Sequence, residues 1–315
     1  MTNNKLKIVF MGTPDFALPS LERLYELYDI TAVFCKPDKA SGRGNKIVFG
    51  PVKEFALHHG IRVCQPETFK DECCKELLSE LDPELIVVAA YGKILPEYVL
   101  NYPKYGCINV HGSLLPKYRG ASPIQCAVLN GDRQTGITIM KMAKGLDSGD
   151  IISQTVTDIG KYETAGELFD RLSVLGADCL IETIGNIINN TAVYTPQNDA
   201  DSTYVSVITK QMGAVDFNMS AASIKNKVYG LNPWPSAYIE TNSGTLKLHR
   251  VLLGQKTDKP HGTVISVDKK GIEVACGDNM TVVITEIQRL GKKKMDAYSF
   301  SLGVKINPGM SIYSL

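Results

Sequence analysis

The chain lacks what would tie it to a membrane, an oxidising compartment or a metal. No apolar stretch in its 315 residues approaches the roughly 20 needed to cross a bilayer. Met1-Thr2-Asn3-Asn4-Lys5 has none of the charged-then-apolar layout of a secretory leader. A cytoplasmic location with no membrane partner is therefore expected. Eight cysteines, at 35, 64, 73, 74, 107, 126, 179 and 276, include no C-x-x-C pair. They read as reduced packing thiols, and neither zinc nor any other metal is expected. The Asn-x-Ser/Thr triplets at Asn189, Asn218 and Asn279 carry no meaning in that compartment. Nucleotide fingerprints are missing too. Gly12-Thr13-Pro14-Asp15 does not have the G-x-G-x-x-G spacing, and no Walker glycine-lysine loop occurs, which disfavours dinucleotide binding. A proline-led helix start with Asp15 near the positive dipole end accounts for those residues.

What is present is enough apolar content, 44%, for two domains with real cores. Residues 6–11 form a short apolar run, and apolar residues then recur at helical spacing over 16–27, so the chain opens β-turn-α. The alternation continues with a strand at 30–35, helices from 51 and over 71–81, and a buried strand over 85–90. A doubly wound, mostly parallel Rossmann-like α/β sheet fits this order. A strand at 107–111, a helix over 124–129, β-rich stretches at 137–142 and 151–156, and a long helix over 164–188 complete a first domain at 1–190. Residues 191–208, with the polar, proline-bearing stretch 195–201, read as a linker. Within 209–315 a short helix over 220–229 precedes alternating runs at 245–251, 263–267, 272–276 and 280–287. They predict a small OB-like β-barrel.

Charge divides along the same line. Residues 1–205 hold 20 Lys and Arg against 25 Asp and Glu, and 206–315 hold 14 against 8. The net +1 thus conceals halves of −5 and +6. A basic barrel carrying Lys292-Lys293-Lys294 suits phosphates, although such a run also serves as an ordinary solvated turn. The loop after the second strand adds Lys36, Lys39, Arg43 and Lys46 around Ser41-Gly42-Arg43-Gly44. Its length and glycines suit a functional loop better than a tight βα turn.

One strand concentrates the chemistry. In Cys107-Ile108-Asn109-Val110-His111, period-two alternation puts Asn109 and His111 on one face and Ile108 and Val110 on the other. Gly112 ends the strand, so His111 is expected at its carboxyl end, where open α/β sheets build their sites. A lone histidine is ordinarily a packed or surface residue. The polar pair closed by Gly-Ser-Leu-Leu-Pro lifts His111 above His58, His59, His249 and His261. Downstream, Gly145-Leu146-Asp147-Ser148-Gly149-Asp150 supplies a candidate carboxylate. Asp147 reads equally as a turn residue satisfying local amides.

The string Asn109-Val110-His111-Gly112-Ser113-Leu114-Leu115-Pro116-Lys117-Tyr118-Arg119-Gly120-Ala121, with Gly145 to Asp150 downstream, resembles the folate-dependent formyltransferases along nearly the whole chain. Phe10-Met11-Gly12-Thr13-Pro14-Asp15-Phe16-Ala17, the Gly42-Arg43-Gly44 loop and Asn232-Pro233-Trp234-Pro235-Ser236-Ala237 are similar to the branch acting on methionyl initiator tRNA. The resemblance implies formyl transfer from 10-formyltetrahydrofolate to the free α-amine of methionine on initiator tRNA, without a metal. It implies Asn109, His111 and Asp147 as catalytic residues. Asn109 would donate to the formyl oxygen, His111 would stabilise charge or move a proton, and Asp147 would orient His111. Folate contacts would fall on Ile94, Leu95, Ser113, Leu114, Leu115, Pro116, Gly145 and Leu146. RNA contacts would fall on Arg43, Lys39 and Lys46 in the loop and on Lys292, Lys293 and Lys294 in the barrel. Phe217 and Tyr229 depart from the family pattern, which commonly has tryptophan and arginine there.

Three rivals differ in what they require. A sugar-nucleotide formyltransferase would keep the polar triad but needs no basic loop. A non-enzymatic RNA-binding protein would keep the barrel's charge without an intact triad. A formyl-folate hydrolase usually carries a separate regulatory domain. A monomer is the default expectation.

Overall fold

The computed structural model describes residues 5–38, 40–41, 46–69 and 72–315, with backbone alone at 40, 41, 46 and 47. The chain packs into two compact units. Residues up to Pro123, Thr135–Asp158 and Phe169–Val205 form the first, and Ile124–Gln134, Ile159–Leu168 and Ser206–Leu315 form the second. This partition differs from the expected cuts at 190 and 208. Composition registers change along the chain, whereas packing gathers segments that are far apart in it. Residues 195–205, expected as a linker, lie in the first unit. Ile151 and Thr195 exchange backbone hydrogen bonds of 2.9 and 2.8 Å, and Tyr204–Val205 pairs in parallel with Arg119–Gly120.

The first unit is built on a seven-stranded sheet in the order Ile151–Asp158, Gln134–Lys141, Cys107–His111, Leu85–Ala89, Lys7–Gly12, Asp29–Phe34, Val63–Cys64. The five strands from Cys107–His111 to Val63–Cys64 are parallel. Gln134–Lys141 joins antiparallel to Cys107–His111. From Lys7–Gly12 the chain winds outward one way and returns on the other side, so the order reverses between Lys7–Gly12 and Leu85–Ala89. Sites in such sheets form beyond the carboxyl ends near that reversal. Parallel strands covered on both faces must be apolar on both, and Leu85–Ala89 is buried at every residue. Val9 and Met11 share one core layer with Ala32, Phe34, Ile86 and Val88, while Ile8 and Phe10 point to the opposite face.

Helices begin close to the expected places: Leu18–Leu27 after a single 3-10 turn at Asp15–Ala17, then Pro51–His58, Glu72–Leu81 and Ala165–Ile188. Among the described residues no helix is long and apolar enough to cross a membrane.

In the second unit Ser220 caps the helix Ala221–Gly230 by accepting from the Ser223 amide at 3.1 Å. An antiparallel sheet follows, ordered Ala237–Thr241, Gly244–Lys256, Met280–Arg289, Gly271–Ala275, Val264–Asp268. Register shifts along Gly244–Lys256 mark bulges, which bend a long strand. Leu248, Val251, Ile272, Val274, Val282 and Ile284 fill the interior. Both atypical aromatics are packed there. Phe217 meets Tyr313 edge-on with ring centroids 6.1 Å apart, and the Tyr229 hydroxyl donates to Val251 O at 3.0 Å.

Burial pushes the Cys35 and Cys107 thiols up to about 11 and about 12, so at neutral pH they stay protonated and inert. Cys73, on Glu72–Leu81, is exposed. A soluble thiol reagent is expected to label Cys73 first and to reach Cys35 and Cys107 only on unfolding. Peptide mapping over a time course checks this, and fast labelling of Cys107 in the folded protein would contradict it.

Candidate active site

The strand Cys107–His111 ends with its polar pair in place. Asn109 is 9% exposed and His111 5%. Residues two apart on a strand share a face at a Cα spacing of about 6.6 Å. Antiparallel pairing sets His111 opposite Thr138 and Asn109 opposite Met140. Among the described residues, no hydrogen-bond partner engages the Asn109 amide.

His111 is held from two sides. Its Nε2 lies 2.9 Å from Tyr118 O. A carbonyl only accepts, so Nε2 carries a proton and the ring is anchored through it. Its Nδ1 faces Asp147 Oδ2 at 3.7 Å. That separation is too long for a hydrogen bond, yet close enough for attraction when the ring takes up a second proton. The same Oδ2 accepts from the Gly120 amide at 2.8 Å. Asp147 therefore takes its amide from a remote segment, which argues against the local-turn reading.

The loop after the strand is shaped by Thr138, fully buried. Thr138 Oγ1 donates to Ser113 O at 2.6 Å and accepts from the Leu115 amide at 3.1 Å and from Gln154 Nε2 at 2.9 Å. The folate contacts implied by resemblance fall into two groups. Ser113, Leu115 and Leu95 are buried, Leu95 within the core cluster, and Leu114 and Pro116 are half-buried. Ile94 is 87% exposed, Leu146 59%, and Gly145 is exposed beside it. Ala90, Tyr118 and Asp147 have φ of 48°, 61° and 49°. Left-handed backbone is uncommon for alanine and tyrosine, and such strained residues gather at functional sites. A groove of ≈ 750 Å³ lined by Lys5, Tyr25, His59 and Arg62 lies at the amino-terminal side of Asp29–Phe34, away from these groups. The convergence of chemistry, rather than the size of that groove, marks the site.

Of the implied RNA contacts, Lys39 and Arg43 lie outside the described residues. Lys46 begins the two-residue strand Lys46–Ile47, paired with Ala40–Ser41, and its side chain lies outside them too. Lys292, Lys293 and Lys294 occupy an exposed turn of the second unit between Met280–Arg289 and Met295–Asp296.

Sequence reasoning passed over Thr138 and the Tyr118–Gly120 backbone. Thr138 had a faint signal, a hydroxyl inside the apolar run 137–142. The backbone groups had none. Gly120 has φ +114°, and a Cβ there would sit 2.3 Å from Val205 O. Gly120→Ala is therefore expected to cost about 2 kcal/mol or more of stability. Urea unfolding reads this, and an unchanged midpoint would contradict the close approach.

Comparison with known proteins bears on this geometry. Residues 6–184 match the formyl transferase family and residues 207–305 the formyl transferase C-terminal domain. The chain is 47% identical over 306 residues to a methionyl-tRNA formyltransferase of Alkaliphilus oremlandii, covering 96% of this chain and 98% of that one. It is 46% identical over 308 residues to one of Caldanaerobacter subterraneus, covering 96% and 99%. An N-formyltransferase of Helicobacter canadensis, crystallised with folinic acid and dTDP-3-aminofucose, superposes with a TM-score of 0.67 at 21% identity, covering 89% of this chain and 98% of that one. At that identity the likeness concerns fold alone. The strand-end pair, the carboxylate held beside it and this full-length similarity have one reading: the chain belongs to the formyltransferase family, among the methionyl-tRNA formyltransferases.

Proposed function

We propose that this protein transfers the formyl group of 10-formyltetrahydrofolate to the free α-amine of methionine on initiator tRNA, producing formylmethionyl-tRNA for translation initiation. The observation that carries the chemistry is the convergence at one strand end. The unpartnered amide of Asn109 shares a face with His111, and Asp147 stands 3.7 Å from the His111 ring. The residues suit a folate donor, since apolar side chains are left exposed at Ile94, in the segment that follows Leu85–Ala89, and at Leu146, next in sequence to Asp147, and the Asn109 amide is free to donate. Bound there, the donor supplies an activated formyl carbon and a nitrogen leaving group.

The chain's own groups then have distinct tasks. The Asn109 amide donates toward a carbonyl oxygen as negative charge grows on it. The His111 ring, anchored through Nε2, takes a proton on Nδ1 and presents positive charge at the same place. Asp147 faces that nitrogen, steadies the protonated ring, and accepts the proton that the attacking amine loses as its bond to the formyl carbon forms. A proton passes from this His111–Asp147 pair to the folate nitrogen as its bond to the formyl carbon breaks. Ser113, Leu114, Leu115, Pro116, Leu95 and Gly145 shape the walls around this centre.

On the RNA side, we assign residues 209–315 to binding tRNA and the first unit, with 195–205 packed on it, to the chemistry. Lys292, Lys293 and Lys294 supply phosphate contacts from the second unit, and Arg43, with Lys39 and Lys46, engages the acceptor end. The positive balance of residues 206–315, 14 Lys and Arg against 8 Asp and Glu, supports this division.

The deciding assay offers formyl-folate with methionyl initiator tRNA, uncharged tRNA or an amino sugar nucleotide. Product is expected only with the charged tRNA, and formylation of the sugar nucleotide alone would overturn the substrate assignment. Asn109→Ala is expected to lower kcat about a hundredfold and His111→Ala by about 10²–10⁴, with the fold retained by circular dichroism. A wild-type rate in either removes that residue from the mechanism. Replacing Lys292, Lys293 and Lys294 together by Ala is expected to flatten the log Kd against log salt slope for tRNA by about two to three units, measured by filter binding. An unchanged slope would place the phosphate contacts elsewhere.

A further inference from the structure

Residues 195–205 run across the outside of the Tyr118–Gly120 turn and are bonded to it repeatedly. Arg119 N donates to Thr203 O at 2.8 Å and Ala121 N to Val205 O at 3.1 Å. Thr203 Oγ1 accepts from the Tyr118 amide at 2.8 Å. Gln197 stands where this strap meets the Asp147 loop. Its Nε2 donates to Asp147 O at 2.9 Å and to Gly149 O at 2.7 Å, and its Oε1 accepts from Arg119 Nε at 3.1 Å. Arg119 is 1% exposed. Its other nitrogens donate to the Tyr204 hydroxyl at 2.9 Å and to Asp199 Oδ1 at 2.8 Å. All these residues belong to the first compact unit.

We infer that Gln197 is a positioning residue for the proposed reaction, setting the Asp147 carboxylate against His111. Three observations converge on it. Asp147 sits at φ 49°, left-handed backbone that aspartate reaches more readily than most residues and that its bonded neighbours fix in place. The loop's base is closed by Lys141 N donating to Asp150 O at 2.9 Å, while its tip is gripped by Gln197. The segment supplying the Gly120 amide to Asp147 is also the segment whose arginine Gln197 holds. One side chain therefore ties both ends of the Asp147 contact, main chain on one side and amide donor on the other. An ångström of drift in a supporting shell is enough to spoil a reacting geometry. Gln197 touches no reacting atom.

This inference rests on the role given to Asp147, and the test separates the two. Gln197→Glu keeps the acceptor for Arg119 but replaces the donor to the Asp147 and Gly149 carbonyls with an oxygen. Gln197→Met keeps the volume and removes every bond. In both, kcat for methionyl-tRNA formylation is expected to fall about tenfold or more. KM for formyl-folate and for tRNA should stay within about twofold, and in Gln197→Glu the thermal midpoint should stay close to wild type. A structural role alone would move the midpoint and leave this split unseen. Combined with Asp147→Asn, either change is expected to add no further loss, because both act through one carboxylate. A wild-type kcat in Gln197→Glu and Gln197→Met, a rise in KM alone, or losses that multiply with Asp147→Asn would overturn the inference. If Asp147→Asn itself keeps the wild-type rate, the role of Asp147 fails instead.

Discussion

The structure of the site depends on three residues of backbone, Tyr118 to Gly120. The carbonyl of Tyr118 accepts a hydrogen bond from His111 Nε2, and the amide of Gly120 holds the Asp147 carboxylate. Acid and ring therefore have a common support, and moving that support moves both. The support is itself fixed from behind by the strap 195–205. It is also constrained by the absence of a side chain at Gly120, where any Cβ would meet Val205 O. Backbone groups make a stiffer scaffold than side chains because they lose no rotamer freedom in holding their partners.

Sheet topology explains why the pair stands here. A parallel strand buried on both faces has little room for polar side chains except at its end, and Cys107–His111 carries its two at that end. Its neighbour on the far side is antiparallel, which brings Thr138 directly opposite His111. That hydroxyl is fully bonded, giving to Ser113 O and receiving from Leu115 and Gln154. It holds the following loop without competing for the imidazole. Left-handed backbone at Ala90, Tyr118 and Asp147 fits a site in which loops are shaped by what they must present.

Much of the fold was legible because burial leaves periodic marks. The apolar runs at 6–11 and 85–90 and the helical spacing over 164–188 matched Lys7–Gly12, Leu85–Ala89 and Ala165–Ile188 within a residue or two. The residues at 195–205 were misread for a physical reason. Their polar, proline-bearing composition is that of a solvated linker, yet their polar groups are used on Arg119, Asp147 and Gly149. Composition alone does not tell a side chain bonded to water from one bonded to protein. Ile94 and Leu95 give a similar lesson, since adjacent apolar residues divided between solvent and core.

The sequence by itself determined that Asn109 and His111 share a face at a strand's end, because alternation along an extended chain requires it. It also determined the order of the α/β elements and the basic character of the last hundred or so residues. Only the tertiary structure decided that Asp147 reaches His111, that Gly120 rather than a neighbouring amide satisfies it, and that Gln197 and Arg119 hold the arrangement. Contacts between segments remote in the chain depend on how the whole backbone folds, and hydrogen bonds to single carbonyls and amides leave no periodic trace in the residues that make them.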